Sequence, residues 1–147
     1  MEEIVGYYIF DMNHLKAKYF SATLICMILL INGISFANYN NRIADKTRQA
    51  VENASSDDWY TLAISAEKCF KKNVNLNEAS KWLDQSLDIA QTPFNLELKG
   101  DYYYSNRLPD KAIEYYVRAM NTLKEKDGKS DISQLQKKVA RIIDIGG

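Results

Sequence analysis

The side chains that most often carry out chemistry are few in this 147-residue chain, and their spacing limits what they can do. The only histidine, His14, lies in the amino-terminal segment, so the rest of the chain has no imidazole to act as general base and no Ser-His or Cys-His pair. Cys26 and Cys69 are the only cysteines, and with one histidine they fall short of the sets that hold structural zinc. Neither G-x-G-x-x-G nor G-x-x-x-x-G-K-[ST], the glycine-rich phosphate loops, occurs. The carboxylate pairs Asp57/Asp58 and Asp84/Asp88 have the spacing of solvated helix ends and faces. Catalysis needs polar groups that converge in one pocket, so the expectation is no enzyme activity, no cofactor and no metal centre.

The elements that would position any other kind of site begin after residue 37. Tyr19 to Ile31, "YFSATLICMILLI", carries no charge; Lys16 and Lys18 precede it, and the small-residue stretch Ser35 to Ala37 follows. This three-part layout is that of a secretory signal peptide, expected over residues 1–37 and cleaved near Asn38. Met12 is an alternative start, because the acidic residues ahead of it suit no signal n-region. The competing expectation is a membrane tether that is never removed, since Tyr19 to Ala37 is nineteen residues long. Ile25 is too bulky for lipoprotein processing at Cys26, and Cys69 reads as a lone core residue. Nineteen basic side chains balance nineteen acidic ones, which argues against nucleic acid as a partner. The remaining length suits one domain, with 38–57 as linker and helix and 58–147 as the main helical region.

Helical periodicity recurs through that region, and no segment alternates with the period of a strand. Arg42 to Asn53 predicts a weak first helix. Trp59, Leu62, Ala63, Ala66, Cys69 and Phe70 mark one face of a second, with Ser56 or Asp57 as N-cap. In "NVNLNEA" the spacing of Asn75 and Glu78 predicts a capping box opening a helix at Leu76, with Ala79, Leu83, Leu87 and Ala90 on one side. Pro93 and Pro109 each suit a first helical turn. They predict helices from Thr92 to about Asn106 and from Pro109 onward, the latter with Ala112, Ile113, Tyr116, Ala119, Met120 and Leu123 in a stripe. Ser130 or Asp131 opens a last helix that buries Ile132, Leu135, Val139, Ile142 and Ile143. The fold class is therefore all-α, six helices in antiparallel pairs.

A shift of thirty-three residues lays "EASKWLDQSL" on "KAIEYYVRAM", pairing Phe70 with Tyr103, Ala79 with Ala112, Trp82 with Tyr115 and Leu83 with Tyr116. The second unit resembles a tetratricopeptide repeat: Gly100, Tyr103, Ala112, Tyr116 and Ala119 stand at its small and aromatic positions. The first unit keeps Phe70, Ala79 and Leu83, with Glu67 at the glycine-type position and Ser86 at the second alanine. In unit two, Leu96 and Lys99 stand where that family carries an aromatic and a leucine. The run "CFKKNVNLNEASKWLDQSL" is also similar to the carboxy-terminal helical region of uncharacterised exported bacterial proteins. The resemblance implies a short right-handed superhelix of antiparallel helix pairs with a carboxy-terminal capping helix. It makes Tyr103 and Tyr116 core residues wedged against Gly100 and Ala112, turns Tyr102 and Tyr115 toward neighbouring helices, and leaves Tyr104 in a groove.

The resemblance further implies that the first helix of each pair lines that groove. The residues carried over are Thr61, Ile64, Lys68, Lys71 and Lys72 in unit one, and Phe94, Glu97, Asp101, Tyr104 and Ser105 in unit two. Ile64 and Asp101 stand where a lysine and asparagine clamp for terminal carboxylates would need donors. The expected occupant is therefore a peptide segment of another protein, in the cell envelope or periplasm, with no nucleic acid involved. Two units make a short array, so self-association or docking through the first helix is expected to cover an open end.

Overall fold

The computed structural model describes residue 39 and residues 41–146, which form six helices and no strand. It divides into the units Met1–Asn41 and Arg42–Gly147; everything below concerns the second. The expected signal peptide or membrane tether, with Met12, His14 and Cys26, lies outside the described residues. We number the helices α1 (41–52), α2 (Trp59–Lys72), α3 (Leu76–Ile89), α4 (Pro93–Ser105), α5 (Pro109–Lys126) and α6 (Ser133–Gly146). All-α architecture is thus the finding, with boundaries close to those the periodicity predicts.

The helix ends are held by specific bonds. Asp58, not Ser56 or Asp57, caps α2: its carboxylate accepts the Thr61 N–H at 2.9 Å. Thr92 caps α4 in a true capping box, its N–H donating to Asn95 Oδ1 at 2.8 Å while Asn95 N–H donates back to its hydroxyl. The box expected at Asn75 does not form. Asn75 adopts left-handed φ of 50° and donates its side-chain amide to Glu78 Oε2 at 2.8 Å. Arg48 of α1 reaches the same Glu78 oxygen at 2.8 Å, so this cluster ties α1 to the start of α3.

The two hairpins turn in the same way. After α2, Val74 N–H donates to Cys69 O and Asn73 N–H to Phe70 O; after α4, Leu108 N–H donates to Tyr103 O and Arg107 N–H to Tyr104 O. Asn73 and Arg107 are both left-handed, at φ 54° and 59°. Each is the paired bonding of a Schellman end, closed by an apolar residue one position on. Matching the bonds sets Cys69 on Tyr103 and Asn73 on Arg107, a shift of thirty-four; the second helices keep thirty-three. Asn75 is the residue that makes the difference, standing between Val74 and α3 where Leu108 runs directly into α5.

This slip corrects the sequence reading of unit one. The residue matching Gly100 is Ala66, fully buried, and not Glu67. At Gly100 a Cβ would lie 2.4 Å from Tyr116 Cε1, which is why only glycine lets the Tyr116 ring lie against α4. In unit one the pair is Ala66 and Leu83, both at 0% exposure. Ser86, matching Ala119, is fully buried because its hydroxyl donates to Trp59 O at 2.7 Å and accepts from Asn95 Nδ2 at 3.0 Å.

The core runs from Leu62, Ala66 and Cys69 through Trp82, Leu83 and Leu87 to Leu96, Tyr116, Ala119, Leu135 and Ile142. Tyr103 is only half-buried and packs against the core rather than within it, a correction to its expected role: its ring is tilted to Tyr115 at 5.3 Å and edge-on to Tyr102 at 5.6 Å. Ala90 forms the end of α3 and is half-buried, and Ile143 is exposed. Lys99 is buried at 4% exposure, paired with Asp84 and lying 5.0 and 5.1 Å from the Tyr102 and Tyr103 ring centres.

Candidate functional site

A cleft of about 510 Å³ opens between the end of α2, the start of α3 and the outer half of α4. Phe70 and Tyr102 form its aromatic floor, with ring centres 5.2 Å apart, and Leu76 and Leu98 extend the apolar surface. Asn73, Asn77 and Asn106 supply amides at the rim and Ser105 a hydroxyl. Lys71 and Glu67, one turn apart on α2, pair at 2.8 Å on one wall, and Asp101 stands on the other. A pocket of this size, apolar at its base with a few polar groups around it, is the usual form of a ligand or peptide side-chain seat.

Three of the ten sequence-predicted residues meet in this cleft: Lys71, Asp101 and Ser105. The others do not. Thr61 is half-buried in the first turn of α2 at its Asp58 cap, and Ile64 is half-buried on the same helix. Lys68 and Lys72 are exposed. Phe94 stacks on Tyr60 at 6.0 Å, joining the amino-terminal ends of α2 and α4; Tyr60, 51% exposed, was invisible to the thirty-three-residue register and sits opposite Phe94 in the thirty-four-residue one.

Glu97 and Asp101, two of the groove residues carried over from the resemblance, are bound by α6. Lys138 places its ammonium 2.7 Å from Glu97, binds Asp101 as well, and lies 5.3 Å from the Tyr116 ring centre. Tyr116 donates its hydroxyl to Asp101 at 2.7 Å. Burial opposes the charge on Lys138, but hydrogen bonds from the ammonium to Asp101 and Glu97, with their negative charges, outweigh it and raise its pKa. Burial, reinforced by the Asp101 carboxylate, pushes the Tyr116 phenol far up. A hollow of about 100 Å³ remains there, lined by Asp101, Tyr104, Tyr116, Lys138, Arg141 and Ile142.

The cleft and the hollow are one arrangement at successive positions. The thirty-four-residue register sets Glu67 on Asp101 and Phe70 on Tyr104. On the facing helices Leu98, Asp101 and Tyr102 correspond to Lys138, Arg141 and Ile142, a shift of forty in each case. Helix α6 lies mainly against α5 and reaches α4 through side chains, at positions that match those by which α4 lines the cleft with α2. The sequence signal for Glu67 was present in its i, i+4 spacing with Lys71, whereas nothing local marks Lys138 as a partner for α4.

Among the described residues no group of histidine, cysteine and carboxylates could hold a metal ion, and no helix is long and apolar enough to cross a membrane. No protein-family model matches the chain, and no curated protein or solved structure matches it.

Proposed function

We propose that the chain is a scaffold of tetratricopeptide-type helix pairs that binds a peptide segment of another protein in the cell envelope or periplasm and does no catalysis of its own. The observation that carries this reading is the cleft between α2 and α4, with Phe70 and Tyr102 at its floor and three asparagine amides at its rim. An aromatic floor offers apolar area to a side chain, and side-chain amides can both donate to and accept from a peptide backbone. The internal Lys71–Glu67 pair leaves the walls close to neutral, so the cleft suits an apolar or aromatic side chain better than a charged one. Export is supported by the layout of residues 16–37.

A photo-cross-linker placed at exposed Ser105 in the full-length chain, expressed in its native envelope, tests the reading. The expected result is a cross-link to one defined peptide segment, lost on Asn77→Lys and Lys71→Glu with the melting temperature unchanged. Cross-links that persist in both variants would remove the cleft from the function. Sequencing the mature amino terminus separates export from tethering, since a start near Asn38 excludes the tether.

A further inference from the structure

Each complete helix pair buries one side of its first helix against its second. In α2 that side is Leu62, Ser65, Ala66 and Cys69, all buried; in α4 it is Leu96, Lys99, Gly100 and Tyr103, of which the first three are buried. The forty-residue register that relates α4 to α6 puts Gln136, Val139, Ala140 and Ile143 on the corresponding side. Gln136 and Ala140 are exposed and Val139 half-buried. Ile143 is 60% exposed, the highest value of any large apolar side chain among the described residues. Helix α6 thus presents the positions of a first helix: Val139 packs against the core, while Gln136, Ala140 and Ile143 remain exposed among the described residues.

We infer that this side of α6 is a docking site for a single helix of a partner protein, carrying a small residue, a leucine-sized residue four positions on, and a small residue three beyond that. The two complete pairs fix this chemistry. Helix α3 lays Ala79, Leu83 and Ser86 against α2, and α5 lays Ala112, Tyr116 and Ala119 against α4; all six are buried. The central side chain scales with the residue it meets: Leu83 goes with Ala66, and Tyr116 goes with Gly100, where a Cβ would collide. Ala140 stands at that place in α6, so it calls for leucine rather than tyrosine. A second copy of the chain is a poor donor, because neither α1 nor α6 contains the pattern and α3 and α5 are already used. This surface is distinct from the cleft, and the two stand or fall separately.

The test uses the full-length chain and a labelled peptide with the α3 sequence, Leu76–Ile89, held helical by a staple on its solvent side. Fluorescence anisotropy should show saturable binding, weakened roughly tenfold or more by Ala140→Tyr and by Ile143→Lys in the chain, and by Leu83→Lys in the peptide. Lys71→Glu, in the cleft, should leave it unchanged. Ala140 and Ile143 are exposed, so both variants should keep the native melting temperature; if one does not, the other carries the test. Absence of saturable binding, or binding that survives both α6 variants, overturns the proposal. Self-association of the chain that Ile143→Lys abolishes overturns it too, by assigning the face to a second copy.

Discussion

The seam between α2 and α4 and the seam between α4 and α6 are built on matching positions, yet they are closed by opposite chemistry. In the first, Leu98 faces the cleft and the aromatic pair Phe70 and Tyr102 spans it, leaving about 510 Å³ open. In the second, Lys138 takes the place of Leu98, two carboxylates grip it, and about 100 Å³ is left. Matching positions therefore give an open cleft in one seam and a clasp in the other, and Leu98 against Lys138 is the difference that sets the charge. An apolar residue there contributes area and binds none of the neighbouring polar groups. A lysine consumes them, and its own burial is tolerated only while both acids remain.

That contrast can be broken at several points. The largest loss is expected from Tyr116→Ala, which removes the ring that fills the space over Gly100 and the only phenol bound to Asp101 among the described residues. Denaturant unfolding should show a loss of roughly 3–5 kcal/mol. Lys138→Leu alone imitates the first seam but takes the ammonium from Glu97 and leaves Asp101 with the Tyr116 hydroxyl; both acids are partly exposed, so it should cost roughly 1–2 kcal/mol. Adding Glu97→Ala, which copies Ala63 of α2, should bring the double variant to within about 1 kcal/mol of the native chain. A double variant no better than Lys138→Leu would mean that the seams are not equivalent.

Alkaline titration sharpens the same comparison. Burial raises the Cys69 thiol and the Tyr103 and Tyr116 phenols, and the acids raise Lys138, so all four hold protons in the folded state that the unfolded chain gives up. Their contribution is complete below the ordinary thiol and phenol range and starts to fall as pH rises above about 9, continuing up toward the raised folded values. The melting temperature should therefore decline over that window, and Lys138→Leu should blunt the upper part of the fall. The smallest effects belong to the neighbouring tyrosines. Half-buried Tyr103→Ala should cost about 1–2 kcal/mol, and Tyr104→Ala, 41% exposed, under about 0.5 kcal/mol. Equal losses at both would contradict the packing described.

The helices themselves were legible because their punctuation is local. Pro93 and Pro109 open α4 and α5 where proline belongs, and Ala79, Leu83, Ala112, Tyr116 and Ala119 are buried where the periodicity predicts. What escaped was relational. The thirty-three-residue shift is correct for the second helices, but Asn75 adds a residue in a left-handed turn, and this moves every match on α2 by one. The thirty-three-residue register therefore points to Thr61, Lys68 and Lys72, each one position past Tyr60, Glu67 and Lys71, and passes over Glu67 and Phe70 of the cleft. The cap of α2 was ambiguous because Ser56, Asp57 and Asp58 are all competent, and only the backbone angle selects Asp58. Lys99 and Lys138 could not be read as paired, since Asp84, Glu97 and Asp101 come to them only through folding.

The contact between α1 and Cys69 has a chemical consequence. The Thr47 hydroxyl lies 3.4 Å from the Cys69 sulfur, both residues are buried, and burial holds the thiol above its ordinary pKa. A thiol that is ionised and within reach of a disulfide can be captured as a mixed adduct. Helix α1 contributes to the cover over the sulfur through Thr47, and burial disfavours the thiolate. The rate at which a small alkylating reagent consumes Cys69 therefore reports how often the packing around it opens, readable by mass without any label on the protein.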